Sequence, residues 1–242
     1  MPRLEWDKVG EKLWETGVDR TVLFPMTAAG GYNDGVAWSG ITAINESPSG
    51  AEPTKIYADN IVYGVLMSPE EDALTIEAFT YPEEYAACIG EAAIGAGAVI
   101  KQQSHLHFGL AYRTMIGNDT IGTNHGYKIH IFWDCIAGAS EDSNSTINDS
   151  PEQKTFSWSV TTLPVSATGY QPTASIVIDS TKVTEAQLTE IEELLYGGDE
   201  ATSSLPTPDR IIGILTGTST ETTNTSTETT NTSTETTEPS NP

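Results

Sequence analysis

The sequence predicts a mostly β chain of the α+β kind: an antiparallel β-sandwich or barrel, one or two short flanking helices, and a disordered C-terminal tail. Three observations carry that prediction. Residues 101–137 hold two long runs with a side-chain period of two, joined by Asn- and Gly-rich turn residues. Shorter alternating runs recur on both sides, separated by clusters of Gly, Pro, Asn and Ser. From residue 216 onward no large apolar side chain occurs. A period of two is the spacing of a half-buried strand, and the punctuating residues are those that turns require.

Residues 1–20 read as an N-terminal arm anchored by Leu4, Trp6, Val9, Leu13 and Trp14. It is too short for a core of its own and must dock on its body or on a neighbour. Residues 21–215 form the β-domain. Strands are predicted at 21–25 and 36–44, the second carrying Trp38, around a Gly-rich turn at 30–35. Residues 45–54 break all periodicity, with two Pro, one Gly, two Ser and two Glu; a loop of that length is functional or mobile. Residues 55–67 read as one extended run, and 73–81 alternate Leu74, Ile76 and Ala78 against Thr75, Glu77 and Phe79. Pro82-Glu83-Glu84 opens a short helix in the favoured way, ending near Gly90.

In the central hairpin, Leu106, Phe108, Leu110 and Tyr112 share one face opposite His105, His107, Ala111 and Arg113. On its second strand Tyr127, Ile129, Ile131, Trp133 and Cys135 share a face opposite Lys128, His130 and Asp134. A strand follows at 154–165 with Phe156, Trp158 and Val160 on one side, and another at 173–179. Thr184 and Gln187 form a capping box ahead of Leu188, Ile191, Leu194 and Leu195 at helical spacing. Gly197-Gly198 stops that helix, and 206–215 suggest one more. Residues 218–224 and 225–231 repeat Thr-Ser-Thr-Glu-Thr-Thr-Asn, and 232–238 repeat it with Glu last. No position of the heptad is apolar, so there is no coiled-coil seam. Such a segment cannot repay the entropy of ordering, and disorder is expected over 216–242.

A chain of 242 residues suffices for one large domain or two small ones. Its formal charge is −23; the tail holds four Glu and no basic residue, leaving −19 on the body. Such a body repels nucleic-acid phosphates and anionic membrane surfaces. Cys88 and Cys135 form no Cys-x-x-Cys pair, and Cys135 reads as a small buried hydrophobe. No run of about 18 apolar residues is present to span a membrane, and the first 20 residues do not read as a secretory leader.

His105, His107 and His130 converge on polar strand faces, yet no fourth ligand or carboxylate accompanies them as a zinc site requires. Asp142, Asn144, Thr146 and Asn148 alternate as in a calcium loop but lack its central Gly and bidentate Glu. No nucleophile elbow or phosphate loop occurs. Glu83-Glu84 and Glu192-Glu193 read as solvated helix faces. No catalytic, cofactor-binding or metal-ligating residue is assigned, and no enzyme activity or cofactor is expected.

The run Phe108-Gly109-Leu110-Ala111-Tyr112-Arg113-Thr114, followed by Ile116-Gly117-Asn118-Asp119 and His125-Gly126-Tyr127-Lys128, resembles the major tail proteins of long-tailed, siphovirus-type bacteriophages and prophages. So do Glu46-Ser47-Pro48-Ser49-Gly50-Ala51-Glu52-Pro53-Thr54 with Tyr57-Ala58-Asp59-Asn60, and Thr146-Ile147-Asn148-Asp149-Ser150-Pro151. The resemblance spans roughly residues 1–215. It implies a tail tube subunit that forms stacked, hexameric rings whose strands join into a continuous inner barrel. The implied partners are other copies of the chain, the tape measure protein inside the tube, and tail tip and terminator proteins at its ends. DNA passes through the lumen without sequence-specific binding, and no membrane is involved. The implied location is the virion tail, assembled in the host bacterial cytoplasm.

On that reading Trp6, Trp14, Glu46, Pro48, Pro53, Tyr57 and Asp59 are candidate contacts between subunits. His105, His107, Arg113, Lys128, His130 and Asp134 are candidate lumen-facing residues. Some tail tube proteins end in an immunoglobulin-like domain, whereas here only the repeat follows Leu215. Two other readings are a monomeric β-sandwich binding module, carbohydrate-binding for example, with exposed Trp on a flat face, and a metal-dependent enzyme built on the His cluster.

Overall fold

The computed structural model describes residues 3–27, 29–95, 97–147, 149, 153–198 and 201–218. The predicted disorder of the heptad repeat falls, from residue 219, outside the described residues. The strands are β1 (Leu13–Pro25), β2 (Val36–Ala37), β3 (Ile41–Glu46), β4 (Ser49–Gly50), β5 (Pro53–Ala58), β6 (Ile61–Met67), β7 (Glu70–Glu71), β8 (Ala73–Ala78), β9 (Ala92–Gly95), β10 (Ala98–Ile100), β11 (Phe108–Asn118), β12 (Gly122–Ala137), β13 (Phe156–Thr162) and β14 (Ser175–Asp179). The helices are α1 (Glu83–Cys88), α2 (Glu185–Tyr196) and α3 (Pro208–Thr216). The chain is mostly β, with antiparallel pairing and few short helices, as the sequence predicts.

The central hairpin is β11 and β12, paired from Asn118 opposite Gly122 to Phe108 opposite Cys135. Asn118 closes the turn, its side-chain oxygen accepting from the Thr120 and Ile121 amides at 3.2 and 2.6 Å. The main sheet runs β2-β1-β11-β12-β13-β8-β3, with β14 also beside β12. Its path curls until β3 packs against β1. Inside the curl lie Leu23, Leu74, Ile76, Phe108, Leu110, Phe132, Trp158 and Val160, and α1 inserts Tyr85 and Cys88 among them. Tyr85 meets Phe108 and Trp158 edge-on at 5.4 and 5.1 Å between ring centroids, an arrangement the ring quadrupoles favour.

A second core lies on the other face of β11 and β12, where Ala111, Ile129, Ile131 and Trp133 are covered by Ile191, Leu195, Ile211 and Ile214 of α2 and α3. Full burial of such a side chain contributes about 1.5–3 kcal/mol. The capping box forms as predicted, Thr184 accepting from the Gln187 amide and Gln187 accepting from the Thr184 amide. Gln187 does more: its side-chain nitrogen donates to the carbonyls of Ile214 and Leu215 at 2.8 and 3.0 Å. These carbonyls end α3 and would otherwise lack partners. α3 extends through Thr216 to a left-handed Gly217 cap, so helix continues past the predicted boundary at 215.

Several expectations are corrected. The hairpin is apolar on both faces in its half away from the turn, because two cores sandwich it. Cys135 leaves the face of Ile131 and Trp133 and joins the core of Phe108 and Leu110. The cause is Asp134, whose φ of 48° inserts a bulge that turns the following residues over. β1 is far longer than the strand predicted at 21–25 and takes eight residues from the expected arm, Leu13 to Arg20. Two register shifts, with Gly17 and Arg20 at positive φ, erase its period. The run 36–44 splits at Gly40, φ 88°. Residues 45–54, expected as loop, contribute to β3, β4 and β5. The extended run 55–67 is the hairpin β5–β6, turned by Asp59 and Asn60 at φ 52° and 64°. A two-residue turn with both φ positive suits these two residue types.

Candidate assembly surfaces

Near the hairpin turn the sheet narrows to four strands, β1-β11-β12-β14. One face is covered by α2 and α3; the other carries Glu15, Thr114, Lys128, His130, Val177 and Asp179. Both outer edges of this four-stranded part have no ladder partner among the described residues. β1 is joined by β2 only at Val22 and Leu23, leaving 13–20 unpaired, and β14 pairs only with β12. The phase of the β14 ladder follows from its ends, where the Trp133 amide donates to Ala174 and the Ser180 amide to Tyr127. Antiparallel ladders alternate. Ile176 and Ile178 therefore bond to β12, while the backbone groups of Val177 and the amide of Asp179 aim at the open side. The outward groups of Ser175 are bonded to the Thr173 hydroxyl, and the Asp179 carbonyl accepts from the Lys182 amide.

A ribbon projects from the end of β3. β4 pairs β7 and β5 pairs β6 over 49–71, and Ile56, Tyr57, Ile61, Tyr63, Leu66 and Met67 on it are exposed. A smaller hairpin, β9–β10, exposes Ile94, Val99 and Ile100. A two-stranded ribbon is marginal in water by itself, and clustered exposed apolar groups mark an interaction surface.

The residues predicted as subunit contacts divide. Trp6 stands exposed in the arm, and Pro48, Pro53, Tyr57 and Asp59 lie on or beside the ribbon. Trp14 is half laid on the backbone of Gly117, where an added Cβ would come within 2.5 Å of the indole nitrogen. Glu46 instead works within the chain. Its carboxylate accepts from the Tyr112 hydroxyl and bonds His130 Nδ1 at 2.8 Å. His130 is buried, stacked on Tyr112 at 4.6 Å, with Nε2 3.1 Å from the Thr114 hydroxyl. The His130 hydrogen bond holds the Glu46 carboxyl below its ordinary range, against the opposing effect of burial.

The six residues predicted to face a lumen together do not share one surface. Lys128 and His130 lie on the open face, Lys128 paired with Glu15. Arg113 turns to the helix-covered face, bidentate with Asp19 at 2.8 Å and stacked over Tyr127 at 4.5 Å. Its guanidinium holds the Asp19 carboxyl below the usual range. His105, His107 and Asp134 sit at the far end of the hairpin. There His105 Nδ1 bonds the Ala137 carbonyl at 2.7 Å and His107 Nδ1 meets Asp134 at 2.5 Å. Beside them the hydroxyl of the half-buried Tyr32 accepts from the Asp134 amide at 3.0 Å, and desolvation pushes its pKa to about 12.

Cys88 and Cys135 are free and buried, and burial raises both thiols, Cys88 to about 12. Among the described residues no group of three His, Cys, Asp or Glu is placed to hold a metal, and no helix is long and apolar enough to cross a membrane. Trp38, Trp133 and Trp158 are buried, which leaves Trp6 and Trp14 as the exposed ones. Sequence reasoning missed the ribbon and the β9–β10 hairpin. The signal for the first was present in Asp59-Asn60, a turn pair between two apolar runs.

Compared with known proteins, the chain matches no family model and no curated protein.

Proposed function

We propose that this chain is a self-assembling structural subunit, the tail tube protein of a long-tailed bacteriophage or prophage. The observation that carries the reading is the pair of unpaired edges on opposite sides of one four-stranded sheet, β1 and β14. A sheet open on both sides pairs head to tail with further copies, and rotation closes such pairing into a ring. In that ring β1 of one copy takes the outward groups of β14 of the next, and four strands per copy line the wall. The exposed ribbon and β9–β10 supply apolar area for neighbours to cover. The open face carries Glu15, Glu46 and Asp179 against Lys128, an acidic balance that lets DNA pass without sticking. The resemblance carried by 108–128 supplies the tape measure, tip and terminator proteins as the expected partners.

The test is negative-stain electron microscopy of the purified chain at rising concentration, with light scattering for mass. Rings or hollow tubes of uniform width are expected, with or without seeding by tail tips. Monomers alone at high concentration, even when seeded, would overturn the proposal.

A further inference from the structure

We infer that the N-terminal arm of one copy docks in an apolar groove beside α3 of a second copy, joining copies head to tail. The groove has a volume of about 630 Å³ and is lined chiefly by Trp133, Tyr170, Pro172, Ile176, Ile212 and Leu215. The arm offers Leu4, Trp6 and Val9, which are 75%, 77% and 85% exposed.

The arm cannot fill the groove of its own chain. It is pinned at the hairpin turn, where the Gly10 amide donates to Asp119 at 2.9 Å and the Gly10 carbonyl accepts from Asn118 at 3.4 Å. Trp6, four residues on, reaches at most about 14 Å from there. Trp133 in the groove lies eleven residues along β12 from Gly122, about 36 Å at strand rise. Arm and groove thus occupy opposite ends of the same hairpin. The C-terminal segment leaves the fold beside the groove, but residues 219–242 carry no large apolar side chain to fill it.

Charge favours a second copy over an unrelated occupant. Residues 1–12 hold Arg3, Lys8 and Lys12 against Glu5, Asp7 and Glu11, so the arm is neutral in a chain of −23. It is the stretch that another acidic copy repels least. A contact joining one end of a molecule to the other end of the next is heterologous, and its repetition builds an open filament. The inference rests on the tube reading only for what the contact builds, namely the stacking of rings.

The test is a cysteine pair, Trp6→Cys with Thr216→Cys on the groove rim, treated with diamide, which takes up the two thiol hydrogens as each disulfide forms. Cys88 and Cys135 are buried and do not compete. A non-reducing gel should show a ladder of trimers and higher species from the double variant. Each single variant should stay monomeric, since head-to-tail docking brings no two copies of the same position together. Adding Tyr170→Ala, which removes an exposed part of the groove wall, should thin the ladder. A pattern that ends at dimers would mean reciprocal pairing and would overturn the inference, as would no cross-linking. By microscopy Trp6→Ala should leave rings and raise the concentration needed for tubes by roughly tenfold or more; tubes at the parent concentration would also overturn it. Failure of the parent chain to form rings or tubes would count against the tube reading alone, because the ladder decides the arm contact independently.

Discussion

Replacing Val177 by Pro separates the stability of the subunit from its capacity to assemble. Val177 aims its backbone groups away from β12, as the ladder bonds at Ala174 and Ser180 dictate, and its side chain is half exposed. Proline at an outward edge position removes no ladder bond of the monomer, so its stability should shift by about 0.5 kcal/mol or less. A junction between copies loses one backbone hydrogen bond and leaves its acceptor desolvated, which costs about 1–3 kcal/mol. Each added subunit completes one lateral junction, and about 1.4 kcal/mol is a factor of ten in an equilibrium constant. The threshold concentration for rings should therefore rise roughly tenfold or more. Ile176→Pro is the control, since its amide faces β12; it should destabilise the monomer itself by several degrees. The assay is light scattering against concentration, with thermal melts of each variant. If Val177→Pro melts like the parent and assembles at the parent threshold, β14 is not the junction and the edge-pairing argument is wrong.

Acid should weaken the fold through Asp19 and Glu46. Both carboxyls are depressed in the folded state, by hydrogen bonds from Arg113 and His130 respectively. Their contribution is complete above the ordinary carboxyl range near pH 4 and is lost as pH falls through the lower folded values. Melts from pH 6 to 2 should show that loss, and Asp19→Asn with Glu46→Gln should flatten it; an unchanged slope would refute the assignment. Trp133→Phe removes the indole donor to the Pro206 carbonyl at 2.9 Å, at a cost of about 1–3 kcal/mol, read as a lower melting temperature. A chain ending at Thr218 loses no large apolar group, so it should melt and assemble like the full chain, and failure to assemble would assign the repeat a structural part.

The hairpin was legible because Leu106–Tyr112 and Tyr127–Ile131 place large apolar side chains at every second position, and α2 because Thr184 and Gln187 announce its start. What hid the rest is local. Gly17, Arg20 and Asp134 take left-handed backbone, and each resets the alternation that a linear reading follows, which concealed half of β1 and misassigned Cys135. The candidate site was less legible than the fold. Arg113 and His130 look like solvent-facing strand residues, but their partners Asp19 and Glu46 lie 94 and 84 positions away. A side chain's destination at such separations depends on topology, which alternation does not encode.

The hairpin β11–β12 is held unevenly along its length. From Ile129 to Trp133 its second strand is buried without interruption, while Gly122 to Lys128 is exposed or half-buried. Mechanically it is a beam clamped at one end between two cores and held at the turn end by β1 and the arm. If copies assemble as proposed, deformation would be taken up in the halves near the turn, where few packed side chains must be displaced to bend.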